Sequence, residues 1–196
     1  MGVVSKFMAN PGREHWNIVK KILRYVKGAS DVALHFEGSE FIIKRYIDSD
    51  FAGDLDKRKS TTGYVFTFVS GAVSWVSKLQ TVVALSTTEA EYMAATETCK
   101  EAIWITRLIE ELGYTQQKIH VYCDSQSALH IARNPSSHSR TKHIDVQCHF
   151  VREVIEEGSV DMQKIHTKDN LADIMTKPVN SDKFIWCRSS YGLFAT

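Results

Sequence analysis

A chain of 196 residues, 43% of them hydrophobic, has the length of one domain and enough apolar side chains to pack a core. That composition excludes wholesale disorder, while a formal net charge of +1 neither marks nor excludes a polyanionic partner. No apolar run reaches the ~18 residues of a membrane span, and none at the start reads as a signal peptide, so a cytoplasmic or nuclear protein, not a secreted one, is expected.

The first element in chain order is "HWNIVKKILRYVKG", with Trp16, Val19, Ile22, Leu23 and Val26 on one face of a helix and lysines on the other. "NPG" at Asn10 to Gly12 breaks the chain before it, and Gly28 stops it. "VALHFEG" and "FIIKRYIDSD" read as strands, followed by the charged, turn-rich "DLDKRKSTTG". "YVFTFVSGAVSWVSK" reads as two strands joined at Ser70-Gly71, so three consecutive antiparallel strands are expected near residues 41–77. A long helix covers "STTEAEYMAATETCKEAIWITRLIEELG", capped by Ser86, Thr87 or Thr88 and ended by Gly113. Then come a strand "KIHVYCD", a short helix from Ser125, a helix "HIDVQCHFVREVIEEG", a strand "VDMQKIH" and a helix "NLADIMTK" stopped by Pro178. The remainder has no clear period. Strands followed by strand–helix crossovers imply an α/β fold, a mixed sheet with helices on its faces.

Polar residues are distributed unevenly along this order. Lys6, Arg13, Lys20, Lys21, Arg24 and Lys27 face only Glu14 before Gly28, and Arg133 to Arg152 holds Arg140, Lys142, His138, His143 and His149 against Asp145. Such patches attract phosphate or are solvated surface. Cys99, Cys123, Cys148 and Cys187 form no CxxC pair and read as reduced, packing residues. Four acids fall on separated elements: Asp48 in a strand, Glu91 in the first turns of the long helix, Asp124 at a strand's carboxyl end and Asp173 early in the last helix. Ligand sites of open α/β sheets form beyond the carboxyl ends of strands. Carboxylates converging there repel one another unless cations intervene, and hard divalent ions with oxygen ligands suit them. Two such ions about 4 Å apart would support in-line displacement at phosphorus.

Within this constellation Asp48 and Asp50 compete for the first position, because side chains two apart on a strand point the same way. Glu89 and Glu91 lie about 200° apart on a helix, so one of them faces the cleft; Glu89 suits a cap. Asp54 and Asp56 suit a turn, Asp145 a helix cap, Asp169 loop surface, and His120, His130, His143 and His149 core or surface. Ser125 and Gln126 stand beside Asp124, where they suit a sugar hydroxyl or phosphate; helix capping by Ser125 is equally compatible.

"YIDSDFAGDLDKRKSTTGYVF", "VVALSTTEAEYMAA", "VYCDSQSALHIARNP", "RTKHIDVQCHFVRE" and "NLADIMTKP" occur in that order. Together they resemble the ribonuclease H domain at the C-terminal end of copia-type retrotransposon polyproteins, over residues 41–178. Residues 1–40, a basic amphipathic helix with its flanks, resemble the end of the preceding reverse transcriptase; 179–196 form a C-terminal tail. The resemblance implies a ribonuclease H-like fold with a mixed five-stranded sheet and hydrolysis of the RNA strand of RNA–DNA hybrids during reverse transcription. It implies two Mg²⁺ ions, or Mn²⁺, on Asp48, Glu91, Asp124 and Asp173, and a mobile histidine, best matched by His166. The "Y-x-D" pattern favours Asp48 over Asp50, and "EYMAA" favours Glu91 over Glu89. Ser125, Gln126, Arg140, Lys142 and His143 are candidates for nucleic-acid binding, through shape, phosphates and 2′-hydroxyls rather than base edges. The partners implied are the hybrid and a reverse transcriptase domain, with no membrane and no small-molecule cofactor, in a cytoplasmic virus-like particle or the nucleus. Two alternatives compete with this function. One is a catalytically silent hybrid-binding remnant. The other is an integrase or transposase-type nuclease with Glu156 or Glu157 as its last acid, which leaves Glu91 and Asp173 without a role.

Overall fold

The computed structural model describes residues 2–39, 41–115, 119–133 and 145–196, without the side chains of 2, 3 and 145–148. Its centre is one mixed sheet. Strands β2 (Lys44–Ser49), β3 (Thr61–Phe68) and β4 (Gly71–Leu79) form the expected antiparallel meander. Strands β5 (Ile119–Cys123) and β6 (Val160–Lys164) then add parallel to β2, giving the order β4-β3-β2-β5-β6. Central β2 is thus paired on both edges, and its carboxyl end lies beside that of β5.

The hairpin between β3 and β4 turns one residue earlier than its glycine suggested. Val69 and Ser70 take the two positive φ values, 49° and 60°, of a two-residue turn whose twist matches the flanking strands. Gly71 serves close approach instead, since a Cβ there would meet Phe36 Cδ1 at 2.5 Å and the His35 carbonyl oxygen at 2.8 Å.

Side-chain alternation along the strands divides the molecule into two layers. Ile43, Ile47, Tyr64, Phe66, Ile119, Val121, Val160 and Met162 face α3 (Thr87–Glu111), α4 (Gln126–Arg133) and α5 (Asp145–Glu156), forming the larger core. Ser86 caps α3, its side chain accepting from the Glu89 N–H at 3.2 Å, and Gly113 at φ 89° ends it. Arg45 is buried in this apolar layer. Its guanidinium donates to the Ile43 carbonyl at 3.0 Å and the Thr106 hydroxyl at 2.8 Å, and burial lowers its pKa to about 10.

Val65 and Ala72 face the other way, against Leu171, Cys187 and Tyr191. This second layer is built from α6 (Asp173–Thr176), α7 (Ser181–Ser190) and the residues around them. The sequence showed no period after Pro178, yet Asn180 caps α7 and the chain ends in β7 (Leu193–Ala195). β7 pairs with β1 (Val32–Leu34) in a separate two-stranded sheet, so the "VALHFEG" strand is shorter than expected and does not join the main one. A ten-residue helix with few apolar residues gives a weak periodic signal; its burial of Cys187 comes from the sheet beneath it. Before these elements, α1 (Gly2–Ser5) leads into α2 (Arg13–Lys27), which begins after Gly12 as the break predicted. None of its residues is buried, and Leu23, Tyr25 and Val26 are each at least 60% exposed.

Candidate metal centre

Asp48 lies near the carboxyl end of β2 on the second layer's face, 1% exposed. Opposite it on β3 is Gly63, over which α6 passes so closely that a Cβ would meet Thr176 Cγ2 at 2.6 Å and Met175 Cβ at 2.8 Å. That approach brings α6 onto the sheet. The Thr176 hydroxyl donates to Asp48 Oδ2. Asp173, at the start of the same turn, is 4% exposed. Asp124 follows β5 directly, and carboxylate oxygens of Asp48, Asp124 and Asp173 all lie within 4.8 Å of one another.

Glu91 approaches from α3. It forms a second group with Cys123 and Asp124, again within 4.8 Å, and among the described residues its buried Oε2 has no hydrogen-bond partner. Gln80 holds this end of α3 to the sheet, its amide donating to the Ala90 carbonyl at 2.8 Å and the Thr62 hydroxyl at 3.1 Å. The four carboxylates expected from separate elements are therefore gathered around the ends of β2 and β5, Asp124 being common to both groups.

Electrostatics follow from that crowding. Burial first, then the charges of Asp48 and Asp124, push the Glu91 carboxyl up to about 9. Burial also raises Asp48, to about 6, against the Thr176 hydrogen bond and the Lys177 ammonium, which oppose it. Lys177 Nζ lies 3.0 Å from Asp173 Oδ1 and 3.4 Å from Asp48 Oδ2, and Lys183 Nζ lies 3.5 Å from Asp173 Oδ2. Burial pulls the Lys177 pKa down, but Asp48, Asp173 and Asp124 together hold it above its ordinary value.

The remaining candidates are distributed around this centre. Asp50 lies just past the end of β2, where its carboxylate accepts from the Thr61 N–H and shapes the turn. The strand ends before Asp50, so the same-face rule no longer applies to it. Asp54 sits in that turn, paired with Lys6 at 3.3 Å, and Glu89 accepts from the Leu85 N–H, completing the α3 cap. His166 is exposed just beyond β6, its Nδ1 accepting from the Lys168 N–H at 3.1 Å. Ser125 caps α4 through the Ala128 N–H at 3.2 Å, and Gln126 is exposed. Arg140, Lys142 and His143 lie outside the described residues, as does the Asp145 side chain.

Two residues that the sequence reading missed hold the centre in place. Asn170 is fully buried; its amide donates to the Ile47 carbonyl at 2.8 Å, and its Oδ1 accepts from the Ala172 N–H at 3.1 Å. It ties the turn bearing Asp173 to the strand bearing Asp48. Lys183 comes from α7, and its ammonium also reaches the Thr167 carbonyl at 3.2 Å and the Lys168 carbonyl. Asparagine in "KDNLAD" carried a weak signal, because polar residues before a helix usually read as caps. Lys183 carried none.

The Asp48, Asp124 and Asp173 group is all carboxylate oxygen, and Glu91 adds a further carboxylate beside the Cys123 thiol, a set whose oxygens fit a hard divalent cation. The sheet order and the helices on its faces define a ribonuclease H-like fold. The solved structure of a ribonuclease H1 isolated from compost by a metagenomic approach, LC11, superposes with a TM-score of 0.52 over 70% of this chain and 94% of that one, at 16% identity. No family model matches the chain. It belongs with the retrovirus-related Pol polyproteins of copia-type transposons. It is 55% identical over 193 residues to the Pol polyprotein of transposon TNT 1-94 from Nicotiana tabacum, covering 98% of this chain. It is 38% identical over 185 residues to that of transposon RE2 from Arabidopsis thaliana, covering 92%. The chain spans only 14% and 13% of those two relatives' lengths.

Proposed function

We propose that this chain is the ribonuclease H unit of a copia-type retrotransposon polyprotein, hydrolysing the RNA strand of RNA–DNA hybrids. The observation that carries the reading is the meeting of Asp48, Asp124 and Asp173 within 4.8 Å, with Glu91 beside Asp124, in a ribonuclease H-like fold.

Asp48, Glu91, Asp124 and Asp173 would hold two Mg²⁺ or Mn²⁺ ions. When bound, such ions supply a nucleophilic water at neutral pH and stabilise charge on the leaving oxygen. The protein's own part begins with Glu91, which retains its proton in the metal-free site and would release it when a cation needs its oxygen. Asp48 and Asp173 are fixed by Thr176, Asn170 and Gly63, so little reorganisation remains at the moment of reaction. His166, exposed beyond β6, is the proton carrier at the solvent edge. Ser125 and Gln126 beside Asp124, with Arg140, Lys142 and His143, would contact the hybrid's backbone. A reverse transcriptase domain of the same polyprotein would deliver the hybrid, in a cytoplasmic particle or the nucleus.

The test is cleavage of a labelled hybrid in Mg²⁺ or Mn²⁺, with single-stranded RNA as control. Cleavage should be confined to the hybrid's RNA strand, stop in chelator and fall to background in Asp124→Asn. Undiminished cleavage in that variant would reject the site. Hybrid binding without cleavage by the unmodified protein would leave a binding remnant instead.

A further inference from the structure

The two lysines at the carboxylate centre are held in different ways. Lys183 has a side chain 15% exposed and several partners besides Asp173. Its ammonium is held by two backbone carbonyls and lies 4.4 Å from the centroid of the Trp186 ring. Lys177 has a side chain 40% exposed, and among the described residues its ammonium is paired only to the carboxylates of Asp48 and Asp173. It stands at the C-terminus of α6, with extended backbone (φ −141°, ψ 154°) before Pro178, where a residue cannot continue a helix comfortably. Lysine places a compact charge on a flexible stem. One lysine is thus built in, and the other bridges the pair of acids proposed to bind a cation.

We infer that Lys177 is an exchangeable internal cation: it neutralises Asp48 and Asp173 in the metal-free protein and leaves them when a divalent ion loads. This rests on the proposal that those carboxylates bind metal. The physical reason is shared occupancy. The ammonium lies 3.0 and 3.4 Å from one oxygen of each of the two carboxylates, and a divalent ion held by those carboxylates would approach their oxygens to about 2.1 Å. A lysine and a dication on one pair of oxygens repel across a few ångströms in a poorly screened site. Binding of either therefore opposes the other, and the opposition is reciprocal. The half-exposed stem of Lys177 gives the ammonium a way out to water, whereas Lys183 has its own anchors and remains. Lys177 thereby stabilises the apo fold at the expense of metal affinity.

Calorimetric titration with Mn²⁺, alongside melting curves in chelator, tests this without measuring activity. Lys177→Met and Lys177→Gln should each bind Mn²⁺ about fivefold tighter or more and melt lower when metal-free. Lys177→Arg retains the competing charge and should show no such tightening. Unchanged or weaker affinity in both neutral Lys177 variants, while the unmodified protein binds Mn²⁺, overturns the lysine inference alone. Mn²⁺ binding that survives unchanged in Asp124→Asn points instead against the carboxylate site. Absence of binding by the unmodified protein and by both neutral variants overturns both.

Discussion

The two faces of the sheet are held by different forces. Beneath α3, α4 and α5 the contacts are many and mostly apolar. On the α6 and α7 face the apolar cluster is small, and position depends on single contacts: Asn170 to the Ile47 carbonyl, Tyr191 to the Leu171 carbonyl, Thr176 to Asp48, and the bare Cα of Gly63. The first face supplies stability. The second supplies placement, and Asp48 and Asp173 lie on it.

Substitutions that separate these roles should differ in what they damage. Phe66→Ala opens the larger core, where Phe66 is fully buried beside Tyr64 and Arg45, and should cost about 3–5 kcal/mol by denaturant unfolding. Gly63→Ala pushes a methyl into Thr176 and Met175 and should cost less, about 1–3 kcal/mol, yet displace α6 and weaken Mn²⁺ binding out of proportion. Asn170→Ala leaves the Ile47 carbonyl without its amide donor and should cost about 1–3 kcal/mol, with the same excess loss of metal affinity. If the two variants on the second face lose only stability, the contrast fails.

A pH series sharpens the contrast further. Glu91 is raised to about 9 and Asp48 to about 6, so the folded state holds these protons more tightly than the unfolded chain. Their contribution is full below the ordinary carboxylate range and is lost as pH rises through about 6 and then about 9. The metal-free protein should therefore lose stability from about pH 4 to about pH 9, and Glu91→Gln should flatten that slope. The smallest effect belongs to the Lys6–Asp54 pair at 3.3 Å, where Asp54→Ala should change stability by at most about 1 kcal/mol, and less in high salt.

Much of the first face was legible from pattern. The meander, an α3 cap within Ser86 to Thr88 and the stop at Gly113 follow local rules that act within a few residues, and the structure chose Ser86 among the three. Asp124 was a candidate because it sits at a recognisable strand end, while Glu91 was preferred to Glu89 only through the resemblance carried by "EYMAA". Asp48 was preferred to Asp50 through the "Y-x-D" pattern alone; that β2 stops before Asp50 was not legible, because strand ends are set by pairing with β3 and β5 rather than by the residues themselves. Val69 and Ser70 at the hairpin, and Gly71 beneath Phe36, show the same gap, since the glycine's reason lies 35 residues away in sequence.

The sequence by itself determined the order of elements, the acids at their ends and the resemblance that joined them. Periodicity, caps and turn residues are local, and a motif order survives without coordinates. Only the tertiary structure decided that α7 and β7 close the second face, that Asn170 and Lys183 fix Asp173, and that Lys177 bridges two carboxylates. Those contacts join residues far apart in the chain, Lys177 and Asp48 by 129 positions, and no local pattern encodes a distance between side chains that meet only after the chain has folded.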